Sequence, residues 1–129
     1  MHPVRRTVLR DGIRAGVILS VCAIALALLG LTPALTWIPE VPLLGSAILV
    51  PNGLLGWTGW RAAARTGRLV AGPLTAALAG SIGGAAAGSA FVVAGKPALN
   101  IAVGILAGVL AGAALGMAGA RAQLSTSRT

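Results

Sequence analysis

Four stretches of the chain, residues 15–31, 43–58, 69–94 and 98–120, run without a charged residue. Each approaches the ~20 apolar residues that a helix needs to cross a ~30 Å hydrocarbon layer. The first (GVILSVCAIALALLGL) is rich in Ile, Leu and Val and is apolar enough to insert alone. The third (LVAGPLTAALAGSIGGAAAGSAFVVA) is mostly Ala and Gly, so it is expected to insert together with the fourth and to sit inside a bundle. Pro33, Pro39 and Pro42 interrupt the chain between the first two stretches, and Gly95-Lys96-Pro97 makes a short connection between the last two. The pattern predicts an all-α integral membrane protein, with four transmembrane helices arranged as two hairpins. A basic N-terminal segment (1–14) precedes the transmembrane domain (15–120), and a polar tail (121–129) follows it, expected to be disordered from residue 123. Trp37 at one end of the second stretch, with Trp57 and Trp60 at the other, fit the interfacial position that indoles prefer.

Small residues recur within this pattern. Gly104, Gly108, Gly112 and Gly116 repeat every four residues, and Gly72, Ala76, Gly80, Gly84 and Gly88 repeat at the same interval one stretch earlier. Residues four apart share a helix face, so each series forms a groove in which another backbone can approach closely. This predicts glycine-zipper packing of helices 3 and 4, with the neighbouring span of the same chain preferred over a second copy as the partner.

Composition agrees: 57% of residues are hydrophobic and 9% charged, against about 25% charged in soluble domains. Ten Lys+Arg against two Asp+Glu give a net charge of +8. Arg5, Arg6, Arg10 and Arg14 precede the first stretch, Arg61, Arg65 and Arg68 lie between the second and third, and Arg121 and Arg128 follow the fourth. Lys96 stands on the opposite side with Glu40. The positive-inside rule then places both termini in the cytoplasm, and the asymmetry argues against a dual-topology antiparallel dimer. Arg5-Arg6 ahead of an apolar segment has the look of a twin-arginine signal, but no small-x-small cleavage site follows, and topology already explains the charges. High Ala, Gly and Arg usage with one Lys points to a GC-rich bacterial genome and a bacterial inner membrane.

The chemical vocabulary is sparse. The predicted spans hold Ser20, Cys22, Ser46, Asn52, Thr75, Ser81, Ser89 and Asn100, with no Asp, Glu, His, Lys or Arg. A proton-coupled transporter or an intramembrane hydrolase needs a titrating group or a nucleophile paired with a base at that depth. The expectation is therefore no enzyme, no catalytic residue, no cofactor and no metal; lone Cys22 reads as a small buried hydrophobe and terminal His2 has no ligand partners. Ser81 and Ser89 are expected to bond back to the preceding turn or across to the fourth span. Pro51-Asn52-Gly53 predicts a midplane helix break and is the candidate pore or substrate contact. Arg61, Arg65 and Arg68, at i, i+4, i+7 on an extended second helix, are expected to meet anionic phospholipid head groups rather than nucleic acid. Abundant packing surface with little chemistry points to a structural or accessory membrane protein, assembling through its glycine-lined faces with itself or with a larger membrane complex. The alternative is an oligomeric small channel or transporter built on the Pro51-Asn52-Gly53 break.

Overall fold

The computed structural model describes residues 3–31 and 40–127. Among them are four helices and no strand: α1 (Pro3–Leu31), α2 (Glu40–Thr66), α3 (Ala71–Val93) and α4 (Leu99–Thr126). The expectations for His2, Pro33, Trp37, Pro39 and Arg128 lie outside the described residues. α1, α3 and α4 are long and apolar enough to cross a membrane, which supports a multi-pass membrane protein.

The helices outrun the apolar stretches. The basic segment forms the first turns of α1, starting at Pro3, where the missing N–H removes no helix bond. α2 continues through Arg61-Ala-Ala-Ala-Arg65 and α4 through Ala-Arg-Ala-Gln-Leu, both good helix-forming runs. The expected disordered tail is thus helical as far as Thr126.

Two glycines stop the helices where only a left-handed residue fits. After α2, Gly67 at φ 63° donates its N–H to the Ala63 carbonyl. After α3, Gly95 at φ 84° bonds to Val92 while Lys96 N–H reaches the Phe91 carbonyl, a Schellman pair that closes the helix end.

α3 lies between α1 and α4, and its contact with α4 is the most extensive in the bundle; α2 rests mainly on α4, and α1 on α3. Among the described residues α1 and α4 do not meet, and α1 and α2 touch less than any other contacting pair. Along the antiparallel α3–α4 seam, a Cβ added at Gly80 would strike the Gly108 backbone, one at Gly84 the Gly104 backbone, and one at Gly112 the Ala76 carbonyl. On α1, Gly12 and Gly16 receive Leu78 and Ile82 of α3, and on α2, Gly56 and Gly59 meet Gly119 and Gly116 of α4.

Most of the buried apolar side chains are small: Ala62, Ala63, Ala71, Ala76, Ala79 and Ala120 are essentially inaccessible, Leu19 and Leu55 are the bulky exceptions, and Thr75 is the largest fully buried side chain among the described residues. Bulky residues face outward, among them Val17, Val21, Ile24 and Leu28 on α1 and Val103, Leu106 and Leu110 on α4. Small residues inside and large apolar residues outside suit a hydrocarbon surround, which does not penalise an apolar coat.

The packing generates a paired prediction. Gly108→Ala pushes a methyl into backbone that cannot rotate away, so α3 and α4 must separate at a cost of about 1–3 kcal/mol. Gly53 has nothing within 4 Å of a Cβ position, so Gly53→Ala is neutral or slightly stabilising. Denaturant titration of both variants in detergent should separate them; equal stabilities would mean that the seam tolerates side chains.

Candidate functional site

The two halves of the bundle differ. In the half that holds the arginines, Ala15 and Leu19 of α1, Leu55 of α2, and Ala76 and Ala79 of α3 form a continuous core, backed by Leu54, Ala111 and Leu115. In the other half α1 and α2 stand apart over the α3–α4 seam, leaving a cleft of about 690 Å³ lined by all four helices. Its walls include Leu26 of α1, Ala47 and Pro51 of α2, and Phe91 of α3, with Gly84 and Gly104 on its floor.

Among the described residues Asn52 supplies the one polar side chain in this lining. The residue is partly buried, and its carboxamide, open to the cleft rather than enclosed, has no hydrogen-bond partner among the described residues. One turn before Pro51 stands Ala47, whose carbonyl cannot receive a bond from an imide nitrogen that carries no hydrogen. The expected helix break is absent, because α2 runs through Pro51 without interruption. A membrane helix tolerates proline where neighbouring helices and local adjustment support the freed carbonyl. The structure brings Pro51 and Asn52 to the cleft, whereas Gly53 is exposed and contributes nothing to it.

The remaining polar groups are held locally. Thr75 donates to the Ala71 carbonyl at 2.7 Å and Thr58 to Leu54 at 2.7 Å. Ser81 donates to Leu78 and Ser89 to Ala85, the back-bonding expected of them. Ser20 donates to the Gly16 carbonyl at 2.8 Å and lies 3.5 Å from the Ile82 carbonyl of α3. Asn100 turns its amide to the Pro97 carbonyl at the start of α4.

At the arginine-rich end, Arg65 Nη1 donates to both carboxylate oxygens of Asp11, at 2.9 and 2.7 Å. The pair joins the start of α1 to the end of α2, with the Asp11 side chain 12% exposed and that of Arg65 44%. The Arg61 guanidinium stacks over Trp57 at 5.0 Å from the ring centroid. Asp11, Arg14, Trp57 and Arg61 also line a smaller cavity of about 150 Å³. Arg61, Arg65 and Arg68 are all exposed, but Arg68 does not continue the α2 face, because the helix ends at Thr66 and Gly67 redirects the chain. Sequence reasoning missed Asp11. Its signal was a single acid placed among four arginines in the first turns of α1.

An ion pair with one partner largely in water contributes on the order of 1 kcal/mol or less. The pair is asymmetric, since Arg65→Ala leaves a mostly buried carboxylate uncompensated, while Asp11→Asn leaves an exposed guanidinium free to solvate. Arg65→Ala should therefore destabilise the bundle more than Asp11→Asn in a double-mutant cycle followed by thermal unfolding, and the reverse order would contradict the burial argument. No family model, curated protein or solved structure matches this chain.

Proposed function

We propose that this chain is a structural or accessory protein of a bacterial inner membrane, without catalytic activity, crossing the bilayer four times with both ends in the cytoplasm. The observation that carries this reading is the inverted core: alanine and glycine inside, and an outer coat of Leu, Ile and Val that only lipid or another apolar helix can cover. Support for α2 as the fourth span comes from its length and from the Asp11–Arg65 pair, which brings its end beside the start of α1. The α3 and α4 series act as a glycine zipper within one chain, so the bundle assembles with copies of itself or with a larger membrane complex through faces that they leave free. Arg61, Arg65 and Arg68, on the same side as Arg14, anchor that side to anionic phospholipid. The channel reading has Asn52 in its favour, but a path through one chain would have to pass the Leu19–Leu55–Ala79 core.

Native mass spectrometry of the protein released gently from its own membrane tests the accessory reading. A homo-oligomer or a co-purifying membrane partner is the expected species, and a lone monomer carrying lipid only would overturn it. Topology is tested in parallel on a Cys22→Ala background. Cysteine at Thr7 or Ser125 should react with an impermeant maleimide only from the cytoplasmic side, and cysteine at Lys96 only from the outside. Labelling of positions 7 and 125 from opposite sides would make the number of spans odd.

A further inference from the structure

We infer that the cleft between α1 and α2 binds a neutral, slender apolar molecule drawn from the bilayer, and that Asn52 hydrogen-bonds the one hydroxyl or carbonyl group that this molecule carries. The inference rests on the membrane-embedded reading above. A volume of about 690 Å³ falls within the ~300–1,000 Å³ typical of small-molecule sites. Leu26, Ala47, Ala87, Ala90, Phe91 and Ala107 offer only hydrocarbon, and among the described residues no charged side chain lines the cleft. An ion would enter without compensation, so the ligand is neutral.

Asn52 sets the polar requirement. A carboxamide offers one acceptor and two donors, and among the described residues none of these is matched. The residue lies near the middle of α2, which in the four-span reading puts it deep in the hydrocarbon. A phospholipid in its normal orientation keeps its esters at the surface and brings only methylene to this depth. The group that satisfies Asn52 therefore belongs to a molecule able to carry a lone hydroxyl or carbonyl inward. The Leu19–Leu55 core closes the arginine-side end of the cleft and limits how far such a molecule can slide.

The test is photo-labelling of the full-length protein in lipid nanodiscs with hexadecanol bearing a diazirine, the adducts mapped by mass spectrometry. Saturable labelling is expected on Leu26, Ala87 and Phe91, reduced by unlabelled hexadecanol or hexadecan-2-one but not by hexadecane. The better of the two competitors distinguishes a hydroxyl from a carbonyl ligand. Asn52→Leu should weaken labelling roughly fivefold, as loss of one hydrogen bond implies, while Gly53→Leu, on the outer side of the same turn, leaves it unchanged. Ala87→Phe, which places a ring in the cleft and leaves Asn52 itself unchanged, should also abolish saturation. Non-saturable labelling spread equally over the exposed Leu106 and Leu110, undiminished labelling of Asn52→Leu, or cleft residues protected by a second copy would each overturn the inference. Recovery of the chain in the soluble fraction before any labelling would instead overturn the membrane reading.

Discussion

Direct contact between the backbones of α3 and α4 is the interaction on which the rest of the bundle depends. Lipid is as apolar as leucine, so helices in a membrane gain little from burying large side chains; they gain from the dispersion contacts and the complementarity that close approach allows. Gly80 against Gly108 and Gly84 against Gly104 permit that approach because no Cβ intervenes. As the α3 series climbs by four residues the α4 series descends by four, so one antiparallel register satisfies every member. The resulting slab is the surface on which α1 and α2 are placed.

How α1 and α2 rest on that slab follows from where their glycines lie. Gly12 and Gly16 of α1 take up Leu78 and Ile82, and Gly56 and Gly59 of α2 meet the end of α4, all in the arginine-rich half. Farther along, α1 presents Ala23, Leu26 and Ala27, and α2 presents Ala47 and Pro51. These side chains line the cleft between the two helices. The bundle thus has a closed core at one end and a cleft at the other.

Polar groups follow a different rule in each half. Thr58 and Thr75 in the closed half return their hydroxyl hydrogens to a carbonyl one turn back, which removes them from any wider network. The one ion pair among the described residues stands where α1 and α2 come together, and it adds a link between two helices whose mutual contact is otherwise slight. Asn52 breaks the rule: it lies in an apolar wall with its carboxamide unmatched, and that is why it, rather than any serine or threonine, defines the site.

The sequence by itself determined what depends on composition and short-range order. Charge-free stretches placed the four helices, Gly95-Lys96-Pro97 marked the connection between α3 and α4, and the depletion of charge pointed to a membrane. Helix ends were less legible, because Ala-Arg-Ala runs remain helical after their hydrophobicity has ended. Tertiary structure alone decided which small residues meet, that Pro51 and Asn52 face a cleft while Gly53 faces outward, that α2 passes its proline unbroken, and that Asp11 finds Arg65 across 54 positions of chain. The physical reason is that a residue's character and its helical phase are local properties carried by its neighbours. Pairing and enclosure depend on distances between segments remote along the chain, fixed only once the α3–α4 seam has set the register of the bundle.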